Sequence, residues 1–189
     1  MSLEGIKVGF GMTGSFCTFE KAFKAAGSLV EAGAEVSPIM SFNAWGISTR
    51  FGTAEENRRK IEEICGRKII ASIEEAEPIG PKKLFDILIV APCTANTLAK
   101  LSLGISDTPI TMAVKSPVVL AISTNDALAG CAKNIGALQN YRNYYFVPYC
   151  QDNFTVKPNS VVADFTQINK TVEAALKGEQ IQPVMISKQ

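Results

Sequence analysis

The stretch VGFGMTGSFCTFEKA, residues 8–22, spaces Gly9, Gly11 and Gly14 as G-x-G-x-x-G and sets Ser15 and Cys17 directly behind them. Two later stretches are chemically alike: Cys93-Thr94-Ala95-Asn96-Thr97 in APCTANTLAKLS, and Ser123-Thr124-Asn125-Asp126 in ISTNDALAG. All three offer hydroxyls and backbone N–H groups, and the later two add carboxamides, the donors that hold a phosphate or the polar edge of a ring. None offers an imidazole, because the 189 residues contain no histidine. That removes Ser-His-Asp and Cys-His catalysis and the commonest metal ligand together. The five cysteines (Cys17, Cys65, Cys93, Cys131 and Cys150) are scattered without C-x-x-C spacing, which argues against a zinc site and against a disulfide framework. Cys17 and Cys93 are expected to be small packing residues on the ligand side.

Such residues work only if the chain brings them to one place. Apolar runs over 6–10, 34–40, 86–92, 117–123 and 144–148 read as strands. Between them, helical patterns cover 18–32, 53–65, 95–103, 108–115, 127–138 and 161–176, whereas 149–160 reads as irregular. The stretch KIIASIEEAEPIGP holds a short strand and a short helix. Alternating strands and helices build a mostly parallel sheet covered on both faces, a three-layer Rossmann-like α/β fold. Residues 1–189 are expected to form a single domain. In open sheets of this kind ligands bind beyond the carboxyl ends of the strands. The three polar stretches each follow a strand, so they are expected to converge.

A dinucleotide site needs an acidic residue at the far end of the second strand. Ser41-Phe42-Asn43 stands there, and Glu35 lies at the beginning of that strand. Gly9 falls inside the first strand, which leaves Gly11 and Gly14 to shape a short loop before a helix. A mononucleotide phosphate fits that loop better. The competing reading is structural: glycines permitting a tight turn, Thr94 capping one helix, and Asn125 or Asp126 capping another.

Lys and Arg total 19 against 18 Asp and Glu, so a net charge of +1 gives no long-range field for nucleic acid or an anionic membrane. The opening MSLEG lacks the pattern of a secretion signal, and no segment has the length of a membrane span. A cytoplasmic protein acting on a small ligand is expected.

GMTGS before a helix, APCTANTLAKLSLGISD and PVVLAISTN resemble, in order and spacing, the flavoprotein family that contains flavin prenyltransferases and flavin-containing cysteine decarboxylases. FNAWGISTRFG, ISTNDALAG, FVPYCQDNFTVKPNS and IQPVM narrow the resemblance to a branch that forms pyridine-2,6-dicarboxylate from dihydrodipicolinate during sporulation, beside a dinucleotide-binding A subunit. The resemblance implies FMN as cofactor, held by Thr13, Gly14, Ser15, Ser41, Asn43, Thr94, Asn96 and Thr97; Ser123 and Asn125, on the third polar strand end, are expected to complete that site. It also implies the A subunit as partner, homo-oligomers, and the mother cell as location; the aromatic-rich stretch 141–149 offers interface surface, with a core strand as the reading preferred for Phe146 and Val147.

The chain departs from the family in several places. It reads Ser-Thr-Asn where the decarboxylases carry a Met-Asn pair, and it has none of their histidine, which disfavours decarboxylation. Phe16-Cys17 stands where related chains are more polar. The link MAVKSPVV is shorter than its counterpart. For a dicarboxylate substrate, Arg50 in STRFG and Lys157 in VKPNS are the candidate cations, against the ordinary role of solvated surface charges. Three functions stay open: a catalytic flavoprotein subunit, a partner subunit without flavin, and another FMN-dependent enzyme of the family.

Overall fold

The computed structural model describes residues 2–115 and 117–187, so Ser116, within the short link, lies outside the described residues. Among the described residues seven strands form the sheet: β1 (Lys7–Met12), β2 (Glu35–Met40), β3 (Ile87–Cys93), β4 (Val118–Thr124), β5 (Tyr144–Phe146), β6 (Tyr149–Gln151) and β7 (Val161–Ala163). Strands β2, β1, β3, β4 and β5 lie side by side in that order, and all four pairings are parallel. Every residue of β3 is buried, because both faces of a central parallel strand are covered.

The helices are α1 (Phe19–Glu31), α2 (Phe42–Gly46), α3 (Ala54–Cys65), α4 (Ile73–Ala76), α5 (Ala95–Leu103), α6 (Pro109–Met112), α7 (Ala132–Asn140) and α8 (Ile168–Ala175). Phe19, Ala22, Phe23, Ala26 and Leu29 recur at helical spacing and give α1 its buried face. α1 packs with α3 and α8, while α4 meets α6 and α5 meets α7. Together they flank the sheet and complete the three-layer α/β architecture expected from the sequence.

Several local expectations need correction. Gly11 lies inside β1 rather than in the loop. A Cβ on Gly9 would fall 2.7 Å from the Phe85 ring, and one on Gly11 would fall 3.3 Å from Ile110 and the Ile89 carbonyl. Both glycines therefore serve packing, and only Gly14 belongs to the loop. Pro92 does not stop its strand, since β3 continues to Cys93 through a register shift after Val90. The helix expected over 127–138 starts later, at Ala132, after a run of turns.

The supposedly irregular 149–160 contains β6, and the helix expected to start at 161 begins with a strand instead. β-Branched Val161 and Val162 extend as β7, antiparallel to both β6 and the end of β4. Asp164 then accepts the Thr166 N–H at 3.1 Å and turns the chain toward α8. α2 was hidden within the expected loop after β2, and Ser41 caps it by accepting the Ala44 N–H at 3.3 Å.

Candidate functional site

The first loop starts at Thr13, which is 1% exposed. Its hydroxyl donates to the Pro92 carbonyl at 2.7 Å and accepts from the Thr94 N–H at 3.0 Å. Ser15 follows, and its hydroxyl meets that of Ser123 at 2.8 Å. Thr18 joins them, donating to the Ser15 carbonyl at 2.8 Å and lying 3.3 Å from the Ser123 hydroxyl. The ends of β1, β3 and β4 thus meet directly through side chains.

Thr94 stands at the N-terminus of α5 in extended conformation, yet its side chain makes no capping bond. Its hydroxyl lies 3.3 Å from that of Thr97. The first N–H groups of α5, which have no intrahelical acceptor, are left for another partner. The capping role read for Thr94 is not what the structure shows. Asp126, by contrast, accepts the Gly130 N–H at 3.3 Å and serves its own turn.

Two adjoining cavities open at these strand ends. The larger, about 460 Å³, is bordered by Gly14, Ser15, Thr94, Ser123, Asn125 and Lys157. The smaller, about 270 Å³, is bordered by Thr13, Gly14, Ser41, Asn43, Thr94, Asn96 and Thr97. Gly14 and Thr94 belong to both, at the point between β1 and β3 where chain connections diverge. All ten residues expected to hold a cofactor are therefore brought together, and Lys157 with them.

Arg50 borders neither cavity; it is exposed, with its guanidinium 4.9 Å from the centre of the Phe51 ring. Glu35 is engaged at the opposite edge of the sheet, where it accepts a 2.9 Å ion pair from Arg67.

The charge of the larger cavity comes from Lys21 and Lys157 against Asp126 and Asp152. Lys157 stands 3.8 Å from Asp152, a loose pairing. Lys21 and Thr18 were missed by sequence reasoning. Thr18 stands at the N-cap of α1 and Lys21 lies three residues further on, a spacing that puts both on one face. The wall formed by 157–162 was missed with the β6–β7 hairpin.

Cys93 is buried, and that burial, with Cys131 adding to it, pushes its thiol well above the ordinary range. Cys17, expected to be buried, is instead exposed at the larger cavity. Phe16 does not fill either space: its ring packs on Phe19 with centroids 5.1 Å apart. Among the described residues, no buried side-chain nitrogen or oxygen lacks a partner and no cluster of metal ligands occurs. Hydroxyls, carboxamides, free helical N–H groups and two lysines make a donor set suited to a phosphorylated cofactor with a polar ring edge.

The chain belongs to the Flavoprotein family, whose model matches residues 1–174, and its parallel sheet opens its crevice at the switch point where open α/β sheets place their ligands. It is 44% identical over 191 aligned residues to the B subunit of dipicolinate synthase from Bacillus subtilis (strain 168), spanning 98% of this chain and 96% of that one. The crystal structure of the corresponding B subunit of dipicolinate synthase from Bacillus halodurans superposes with a TM-score of 0.91 at 42% identity, covering 100% of both chains. The FMN-dependent cysteine decarboxylase SpaF shares the fold, with a TM-score of 0.67 at 23% identity over 92% of this chain and 99% of that one.

Proposed function

We propose that this chain is the B subunit of a dipicolinate synthase, holding FMN and completing, with an A subunit, an enzyme that forms pyridine-2,6-dicarboxylate from dihydrodipicolinate. The observation that carries this reading is the convergence of three polar strand ends on two cavities that share Gly14 and Thr94. The 44% identity to the Bacillus subtilis protein supports it along nearly the whole chain.

Aromatisation removes a hydride and a proton from the dihydropyridine ring, and the gain in aromaticity drives it. Bound FMN supplies a two-electron acceptor for that step; the nicotinamide of an A subunit is the other acceptor available. This chain's own task is orientation. Ser15, Thr94, Asn96 and the first N–H groups of α5 hold the phosphate and the polar ring edge of the cofactor. Lys157 and Lys21 neutralise the substrate carboxylates in the larger cavity. Arg50, on the segment between α2 and α3, is a further carboxylate contact if that segment closes or a second subunit approaches.

Association belongs to the same proposal. The interface read for 141–149 is mostly core, since Tyr145, Phe146, Val147 and Tyr149 are buried. Phe42, Trp45, Ile47 and Phe51 are instead exposed along the segment that follows β2, with Phe42 bordering the smaller cavity, and this is the segment we assign to subunit contact. The proposed site of action is the cytoplasm of a sporulating mother cell; among the described residues no helix is long and apolar enough to cross a membrane.

One observation favours a second reading, a partner subunit without flavin: the Ser15 hydroxyl is already engaged by Ser123. Turnover of dihydrodipicolinate by the A subunit alone, by this chain alone and by the two together, each with and without added FMN, separates the readings. The flavoprotein reading requires that the pair exceed either component alone and respond to FMN. Equal turnover without flavin would leave the chain a structural partner.

A further inference from the structure

We propose that Thr13 is a positioning residue: its hydroxyl sets the separation between the Gly14–Ser15 loop and the Thr94 lip, and thereby how firmly the crevice grips a flavin phosphate. The second half of this inference rests on the FMN reading above; the first does not.

The β1–β3 ladder pairs residues only as far as Gly11 with Val90, and on the other side of β3 the pairing with β4 shifts register between Val90 and Cys93. Pro92 sits in the gap and has no N–H to donate, so the ladder cannot continue there in the ordinary way. Thr13 replaces it. Its N–H donates to the Pro92 carbonyl at 3.3 Å, its hydroxyl donates to the same carbonyl at 2.7 Å, and the hydroxyl oxygen accepts the Thr94 N–H at 3.0 Å.

A threonine hydroxyl has one proton to give, and here it is committed to Pro92. Thr13 borders the smaller cavity, but with its proton spent and only 1% of its surface exposed it acts through its neighbours. Those neighbours, Gly14 and Thr94, are the two residues that border both cavities. A single buried side chain thus joins the two lips of the crevice.

The test compares wild-type protein with Thr13→Val, which keeps the branched shape and removes the hydroxyl, and Thr13→Ser, which keeps the hydroxyl. Amide hydrogen exchange is read on the ligand-free protein, and FMN affinity by quenching of flavin fluorescence. Loss of one or two net hydrogen bonds predicts about tenfold faster exchange around Thr94 in Thr13→Val, with β4 and β5 unchanged, and about tenfold weaker FMN binding. Thr13→Ser should stay within about threefold of wild type in both.

Unchanged exchange at Thr94 in Thr13→Val overturns the staple, as does acceleration spread evenly over the sheet, which would mark a general packing role. Altered local exchange with wild-type FMN affinity overturns the link to ligand grip. If wild-type protein takes up no FMN, the flavin reading fails and the claim about grip fails with it, while the exchange result still decides the staple.

Discussion

The hydroxyls of Ser15 and Ser123 lie 2.8 Å apart although 108 residues separate them in sequence, and this contact joins the first polar strand end to the third. With Thr94 it marks the rim of the larger cavity. If these hydroxyls hold a phosphate, Ser15→Ala and Thr94→Ala each weaken FMN binding by about 1.5–3 kcal/mol, the range for hydrogen bonds to a charged group. Titration of FMN into the two variants measures this, and unchanged affinity in both would move the phosphate elsewhere.

Gly9 separates packing from binding. Its missing Cβ leaves room for the Phe85 ring, which an added methyl would meet at 2.7 Å. Gly9→Ala is expected to lower stability by about 1–3 kcal/mol, the usual cost of overpacking a core. Urea unfolding should show that loss while FMN affinity stays near the wild-type value. A selective loss of FMN binding at full stability would restore a ligand role to the first glycine of the motif.

Lys157 borders the larger cavity, and Arg50 does not. Lys157→Gln is therefore expected to raise KM for dihydrodipicolinate about tenfold or more in the reconstituted pair, the loss of a charge-assisted contact. For Arg50, a carboxylate contact predicts a loss of about 1.5–3 kcal/mol in Arg50→Ala with only partial rescue by Arg50→Lys, because lysine lacks the planar fork. Wild-type kinetics in both Arg50 variants would leave recognition to the cavity lysines or to the A subunit.

Glu62 gives the fold an acid-sensitive tie. Its carboxylate accepts from Lys68 Nζ at 3.0 Å and from the Ile69 N–H at 3.1 Å, and these bonds, Lys68 foremost, hold it below the ordinary glutamate range. A pKa lower in the folded than in the unfolded state contributes stability that is complete above the unfolded value and disappears as pH falls through the folded one. Wild type should thus be more stable than Glu62→Gln at neutral pH, with the difference shrinking once pH drops below about 4. A gap between the two that persists or widens in acid would contradict this.

The parallel core was readable because its strands are continuous apolar runs: DILIVAP could hardly be anything but a central strand, and β3 is buried throughout. The position of the three polar stretches was readable for a related reason, since each follows such a run, whereas the cofactor role of their residues came from the family resemblance. The β6–β7 hairpin was not, because Tyr149–Gln151 and Val161–Ala163 are only three residues each, too short for alternation to register. Without the hairpin, Lys157 was a candidate cation with no place in the fold. Lys21 was missed because charge on the exposed side of an amphipathic helix looks like solvation until the cavity beside it is seen. Thr13 was read as a ligand contact because nothing in GMTGS reveals that Pro92 leaves a gap in the ladder.

The proposal that this chain holds a flavin is tested most directly by incubating the purified protein with excess FMN, removing free flavin by gel filtration, and recording the visible spectrum. One FMN retained per chain is expected, together with slower alkylation of Cys17, whose exposed thiol borders the larger cavity. Protein that emerges without flavin absorbance, with Cys17 reacting at the same rate as before, would contradict the flavin site.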